Sequence, residues 1–552
     1  MPEYLSPGVY IEEVNYGPGA IQGVGTSMPV FIGFTEKAES ARMIGGERVK
    51  QDLLNRPQLI TNWGQYTESY GGIVDGAYLP HAVYGYFMNG GGRCYVVSVK
   101  NVPRALAQLM GADGESYLQI QAAQSGFDGQ RLRVRIENDT PKQLSQNGAD
   151  QPTAEQSGDG DGQTPAAEES LSPFNIIVEY ETNSGGWQTK ETIRNVTLTE
   201  VEQQNGRQVK LAYQTARKPE WITLMAPETT KPLAQIWPRP QAQTLHISTN
   251  LLSAPQASDF QGDMETRTGV EGLESIDDIT MVVVPDLMNS MGQGQLDLNM
   301  VKAVQTMLIG HCEKMGDRVA ILDTPPDLKP MEAKTWRMDV TGFDSSYAAL
   351  YYPWIEVLDP STNRTIQMPP SGHLAGIWAR TDAERGVHKA PANEVVRGAT
   401  GLAYNVTKGE QDVLNPIGVN CVRAFPGMGI RVWGARTLSS DPSWRYINVR
   451  RLFNMVEKSI ERGTQWVVFE PNDATLWARI RRDVGAFLVS LWGRGALFGQ
   501  SPAEAFFVRC DEAINPAHVR DQGQLLIEVG LAPVKPAEFV IFRISQWAES
   551  AG

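Results

Sequence analysis

Chemistry in this chain of 552 residues rests on few candidate side chains. His373 and Asp382 are the types that make a general base and its orienting partner, although a structural hydrogen bond is the plainer reading. His311-Cys312-Glu313 puts three reactive types side by side. Adjacent residues on a helix point in different directions, so they make no constellation. Gly90-Gly91-Gly92-Arg93 is glycine-rich but lacks the lysine and hydroxyl of a phosphate loop, and it reads as a helix stop. No GxxxxGK(S/T), HExxH or GxSxG occurs, and no GxGxxG follows the apolar run at 280–285. Cys94, Cys312, Cys421 and Cys510 form no CxxC pair and read as buried reduced thiols. We therefore expect no catalytic residue, no cofactor and no metal. An α/β enzyme without a recognisable motif, a hydrolase or dehydrogenase, stands as the alternative.

The bulk composition narrows the partners. Net charge is −14, and an acidic surface is the wrong sign for phosphate backbones, so nucleic acid is not expected as a partner. No run approaches 18 apolar residues, so no direct membrane insertion is expected. The first residues lack a basic and apolar leader, which predicts assembly in a bacterial cytoplasm. The length calls for several domains.

The elements along the chain divide into six stretches. Residues 1–28 read as an arm punctuated by Pro7, Gly8, Gly17, Pro18, Gly19, Gly23 and Gly25, with one short strand carrying Val9, Tyr10, Ile11 and Val14. Residues 29–100 open a core, with a buried strand at 29–36, a helix over Tyr78 to Asn89 and a strand at 94–99. Residues 101–272 are strand-rich and polar, and read as an inserted outer domain. Within it, 141–172 carry six Asp or Glu against one Lys and almost no large apolar side chain, so a mobile loop is expected there. Residues 273–430 return to α/β. Strand Thr280 to Pro285, helix Leu298 to Met315 and strand Arg318 to Asp323 predict a βαβ unit in a covered sheet. A strand over Tyr347 to Val357 and a helix over Gly372 to Asp382 follow. Residues 431–532 read as α+β, with an amphipathic helix at 448–462, a strand at Gln465 to Phe469, a helix at 473–491, and strands at Phe506 to Arg509 and Gln524 to Leu531. Residues 533–552 form a second arm, with Phe539, Val540, Ile541, Phe542 and Ile544 in a strand too apolar for a tail in water.

Two strand-forming ends, each on Pro/Gly-rich chain, suit β-augmentation. Each ladder hydrogen bond contributes about 0.5–1.5 kcal/mol, and ordering costs about 1–2 kcal/mol per residue. Those terms nearly cancel. Burying Val9 and Ile11, or Phe539, Ile541 and Phe542, at about 1.5–3 kcal/mol each, decides the sign. The residues alone leave open whether each end pairs within its own subunit or in a neighbour.

Several segments together resemble the contractile phage tail sheath protein family. They begin with Tyr4-Leu5-Ser6-Pro7-Gly8-Val9-Tyr10-Ile11-Glu12-Glu13 and Met28-Pro29-Val30-Phe31-Ile32-Gly33. The stronger match runs through Tyr351-Tyr352-Pro353-Trp354, Pro369-Pro370-Ser371-Gly372-His373-Leu374-Ala375-Gly376 and Arg380-Thr381-Asp382. It continues through Lys389-Ala390-Pro391-Ala392-Asn393, Leu414-Asn415-Pro416 and Val432-Trp433-Gly434-Ala435-Arg436-Thr437. It ends in Tyr446-Ile447-Asn448-Val449-Arg450-Arg451-Leu452, Phe469-Glu470-Pro471-Asn472 and Pro536-Ala537-Glu538-Phe539-Val540. Residues 101–272 carry no part of the resemblance.

The resemblance implies a structural subunit, not an enzyme. Its fold would be α/β and α+β multidomain: a sheath core with a covered mixed sheet, a strand-rich inserted outer domain, and extended N- and C-terminal β-arms. Such subunits polymerise with copies of themselves into a helical stack of hexameric rings around an inner tube protein, bounded by baseplate and tail-terminator proteins. Their arms add strands to neighbours, and contraction drives the tube through a target membrane. A C-terminal-region helix faces the tube, which nominates Arg479, Arg481, Arg482 and Arg494 against an acidic tube exterior; a merely solvated basic face is the plainer alternative. The particle would be a virion tail or a phage-tail-like injection system, and an adhesive role for the insertion is compatible with either.

Overall fold

The computed structural model describes residues 21–44, 47–138, 172–182, 184–202, 209–225, 228–229, 233–247, 255–289 and 296–541. The expected strand at Val9, Tyr10, Ile11 and Val14, the loop at 141–171, and Phe542 and Ile544 lie outside the described residues.

Its centre is a mixed sheet of eight strands: β1 Pro29–Thr35, β2 Gln58–Ile60, β3 Cys94–Asn101, β4 Met281–Val283, β5 Val319–Asp323, β6 Ala348–Tyr352, β7 Val419–Phe425 and β8 Gly429–Val432, in the order β8-β7-β6-β5-β4-β1-β3-β2. The six inner strands run parallel, and β2 and β8 close the edges antiparallel. The inner strands are near-continuous apolar runs because both faces are covered. Alternation sorts their side chains into two cores: Val30, Ile32, Val97 and Val282 face one, and Phe31, Val96, Met281 and Ile321 face the other. Helix α1 (Leu79–Met88) and helix α3 (Ser371–Arg385) cover the second face, while α2 (Leu298–Met315) covers the first. The expected βαβ unit is β4-α2-β5, with α2 capped by Asp297, whose carboxylate accepts from Asn299 and Met300 N–H at 2.9 and 3.2 Å.

Helices α1 and α3 approach closely. A Cβ on Gly376 would stand 2.5 Å from the Tyr86 carbonyl oxygen, and one on Gly372 would stand 2.5 Å from Ala82 Cα. Only hydrogen at these positions, one turn apart on α3, lets the backbones meet.

Between β3 and β4 the chain builds a six-stranded and a three-stranded antiparallel sheet from strands lying between Leu106 and Thr244. They share their own apolar cluster, from Ala105 to Ile247, and Phe260 and Val270 already pack in the main core. Beyond β8, α4 (Ile447–Gly463) and α5 (Ala474–Gly493) pack through Leu452, Val456, Ile480, Val484, Phe487 and Leu488. A two-stranded antiparallel hairpin, Phe506–Arg509 with Glu528–Leu531, lies beside them. Among the described residues no helix is long and apolar enough to cross a membrane.

Three expected strands differ. The run Tyr347 to Val357 divides at Pro353, which has no N–H to extend a ladder. Its second half, Ile355–Asp359, joins a separate sheet with Arg364–Met368 and Ala399–Leu402. Gln465 to Phe469 is not a strand: Gln465–Val467 is a 3₁₀ turn, Trp466 and Val467 lid the C-terminal core, and Phe469 is fully exposed at φ 70°. Its apolar run was a cap, not a buried ladder. Residues 538–541 form no strand within the single chain.

Asp323, at the carboxyl end of β5, caps α3. It accepts from Ser371 N–H at 3.0 Å and from Ser371 Oγ at 2.5 Å. Burial pushes its carboxyl up to about 7 against those two hydrogen bonds. A raised folded value stabilises below the unfolded carboxylate range and loses that contribution as pH rises toward 7. Asp323→Asn keeps the acceptor and remains neutral. Thermal denaturation from pH 4 to 7 should show it gaining on the native protein as pH rises, while Asp323→Ala is less stable by about 1–3 kcal/mol.

Candidate functional site

In open parallel sheets, ligands bind beyond the carboxyl ends of the strands, where helix N-termini attract anions. Here that crevice is filled by the protein's own carboxylates. Asp286, fully buried just after β4, accepts from the N–H groups of Phe34 (2.7 Å), Tyr78 (2.5 Å) and Leu79 (3.0 Å), and so caps α1. Burial pushes it up to about 6 against those bonds. With Asp323 on α3, the helix ends that could hold a phosphate are already occupied.

The sequence's reactive candidates do not converge. His373 lies buried against α1, its side chain beside Gly85, and Asp382 is committed to Arg451. His311 contacts Arg318 at 3.3 Å, Glu313 accepts from Ser345 Oγ at 2.6 Å, and Cys312 is buried. All four cysteines are buried and unbonded, and burial raises each thiol's pKa, Cys312 and Cys421 to about 12.

The polar chemistry concentrates instead where the two termini join the fold. At the N-terminal root, Arg451 on α4 forks onto Asp382 at the end of α3, with contacts of 2.9 and 2.5 Å. The two side chains are only 3% and 4% exposed. Asp382 also accepts from Thr26 Oγ1 at 2.6 Å and Ser27 Oγ at 3.3 Å, and Arg451 donates to the Thr26 carbonyl at 2.9 Å. The guanidinium lies 4.8 Å from the Trp378 ring. Val24 N–H donates to Ser459 Oγ at 3.0 Å, and Ile21 is buried against the same helix.

The C-terminal root has a matching anchor. Glu538 receives Arg436 at 2.9 and 2.6 Å, Asn415 Nδ2 at 2.7 Å and the Tyr446 hydroxyl at 3.1 Å. Burial raises its carboxyl, but the Arg436 and Asn415 hydrogen bonds outweigh that and hold it below the usual range. Asn448 donates to the Val534 carbonyl at 3.1 Å. The next residues then enter solvent: Phe539, Val540 and Ile541 are 72%, 68% and 80% exposed. A cavity of about 550 Å³ lies at the amino ends of the strands, between the N-terminal root, the sheet and α4.

The four arginines nominated for a partner surface do not share one face. Arg479 stacks 4.5 Å from the Trp466 ring. Arg481 donates to the Cys510 carbonyl. Arg482 points outward beside Asp483 at 2.8 Å, and Arg494 caps the end of α5 through the Ser490 carbonyl at 3.3 Å. Twelve residues of helix separate Arg482 from Arg494 by about 18 Å and a third of a turn. The anchors Asp382–Arg451 and Arg436–Glu538 were not singled out by sequence reasoning. Their one signal was a charged residue set between apolar neighbours, as in Ala537-Glu538-Phe539.

Residues 268–438 match the phage tail sheath protein central domain, and residues 439–546 match the phage tail sheath C-terminal domain, together just over half of the chain. A prophage major tail sheath protein of Pseudomonas aeruginosa is 30% identical over 255 residues, 45% of this chain and 63% of that protein. Tail sheath proteins of Vibrio phage KVP40 and Burkholderia phage BcepMu are 28% and 32% identical, over 37% and 35% of this chain and 30% and 41% of theirs. The chain spans less than two thirds of the length of each of these relatives. In fold it resembles a chain of the anti-feeding prophage baseplate, with a TM-score of 0.54 at 23% identity over 99% of this chain and 100% of that one. It also resembles the PVC sheath complex of an extracellular contractile injection system in the contracted state, with a TM-score of 0.54 at 23% identity over 99% of each chain.

Removing one partner of a buried pair strands the other. Asp382→Ala should lower stability by about 3–5 kcal/mol by leaving Arg451 buried and unpaired, read by thermal denaturation. A depressed folded value, as at Glu538, gives stability above the unfolded carboxylate range that is lost as pH falls through the folded value. Limited proteolysis followed by mass spectrometry should therefore show cleavage after residue 534 accelerating below about pH 4. Glu538→Ala should already show that cleavage at neutral pH.

Proposed function

We propose, on the premise that this chain belongs to the phage tail sheath family, that it is the structural subunit of a contractile tail sheath. Copies of it build a helical stack of hexameric rings around an inner tube, held between baseplate and terminator proteins. The sheath assembles in a bacterial cytoplasm and then contracts to drive the tube through a target membrane, as part of a virion tail or an injection particle.

The observation that carries this reading is the C-terminal exit. A tightly anchored root at Glu538 delivers three consecutive large apolar side chains into solvent. An isolated chain gains nothing from that, whereas a strand donated to a neighbour buries them. The hairpin Phe506–Arg509 with Glu528–Leu531 is a receiver of the right kind. It has two strands among the described residues, two-stranded sheets are marginal alone, and Phe507 is half exposed on it. Val9, Tyr10, Ile11 and Val14 would supply the N-terminal donor, and Phe539, Val540, Ile541, Phe542 and Ile544 the C-terminal one.

Helix α5 is the tube-facing element in this proposal. Its outward residues are mostly small, with Arg482 projecting and Arg479, Arg481 and Arg494 partly tied to the subunit itself. Exposed ion pairs contribute about 0–1 kcal/mol each, which suits a surface that must release its partner. Residues 101–272 would form the outer domain, 29–100 with 273–430 the core, 431–532 the inner domain, and 1–28 and 533–552 the arms.

Deleting residues 1–14 or 538–552 should leave folded monomers that build no sheath by electron microscopy; regular tubes from either deletion would sink the exchanged-strand reading. Arg482→Glu is the cleaner probe of the tube face, since Arg481 also braces the Cys510 loop. It should reduce co-assembly with the inner tube several-fold without changing the melting temperature.

A further inference from the structure

One helix touches both terminal roots. At the start of α4, Tyr446 and Asn448 grip the C-terminal root through Glu538 and the Val534 carbonyl. Further along, Arg451, Met455, Ser459 and Gly463 recur every fourth residue and so form a single row. The N-terminal root lies along that row in the opposite chain direction, with Thr26 at Arg451, Val24 at Ser459 and Ile21 at Gly463. Gly463 is obligatory to the track: a Cβ there would stand 2.7 Å from Ile21 Cγ1. The termini therefore leave the fold near opposite ends of a 17-residue helix, about 25 Å apart.

We infer that α4 is the strut that carries tension between the two inter-subunit links, an assignment that rests on the proposed exchange of arms. A pull at Ile21 to Val24 meets the far half of α4 before the chain joins the sheet through Thr280, and α4 passes it to the C-terminal root through Tyr446 and Asn448, alongside Arg436 and Asn415. Its apolar side is locked against α5 by Leu452 and Val456, so it cannot bend away. The far half of α4 meets the main body across the 550 Å³ cavity, through Lys458 to Asp317 at 3.4 Å and Arg462 to the Asp277 carbonyl at 3.2 Å. These polar contacts line the cavity wall. The near half, at Ile447 and the Arg451–Asp382 pair, is fixed.

The test uses the full chain assembled with its inner tube, induced to contract and imaged by negative stain. Gly463→Val should push Ile21 off the track. Cleavage at residues 20–26 should then accelerate at least tenfold in the folded monomer, and most sheaths should break into short ring stacks on contraction. The double variant I21C/G463C guards against simple misfolding. The added Cβ at 463 lies 3.1 Å from Ile21 Cβ, a few tenths of an ångström closer than a disulfide's usual Cβ separation of about 3.5–4.5 Å, so a small shift of the root admits the bond. Oxidised, it should contract intact; reduced in the same preparation, it should fragment like Gly463→Val. Intact contraction of the reduced form overturns the strut. Failure of the native chain to form sheaths at all overturns instead the functional reading on which it rests.

Discussion

Three parts of the chain meet at the carboxylate of Asp382: the end of α3 in the main body, Arg451 on α4, and Thr26 and Ser27 just before the first strand. The contact is almost wholly buried, and desolvating two charges is costly unless every remaining donor and acceptor is used. Here they are used, by two hydroxyls, a backbone carbonyl and the Trp378 ring. Such a junction gives geometry more than net stability. It fixes where the N-terminal root enters and which row of α4 it follows. The C-terminal lobe, the cavity and the path of the terminus are all placed relative to it.

Apolar periodicity disclosed the parts that obey one rule at a time. The inner strands appear as unbroken apolar runs because both faces are covered, and the α5 stripe from Leu476 to Leu491 is buried as its spacing requires. Gln465 to Phe469 misled for the same reason. A short apolar run reads alike whether it is a ladder or a lid, and only the position of Pro471 and the exposure of Phe469 separate the two. The root anchors were illegible because pairing is tertiary. Glu538 and Arg436 lie far apart in the chain, and nothing local to either tells of the other. The quoted motifs did contain all four anchor residues, but resemblance marks positions without saying what they touch.

The main body also shows how an architecture suited to nucleotides can be closed to them. Asp286 and Asp323 stand where strand ends and helix N-termini converge, and both are held by backbone or hydroxyl donors in place of a ligand. Burial raises both carboxyls, a cost that an exchangeable ligand would not impose. Their permanence trades binding capacity for a rigid block.

The four cysteines have a consequence of a different kind. Each is buried, none is bonded, and each thiol is pushed away from its reactive thiolate form. In an oxidising medium, exposed thiols on the proposed assembly would stitch neighbouring subunits together at random. Sealed inside three hydrophobic cores, these sulfurs close that route of ageing. An assembly of such subunits can wait in an oxidising medium with its freedom to rearrange intact.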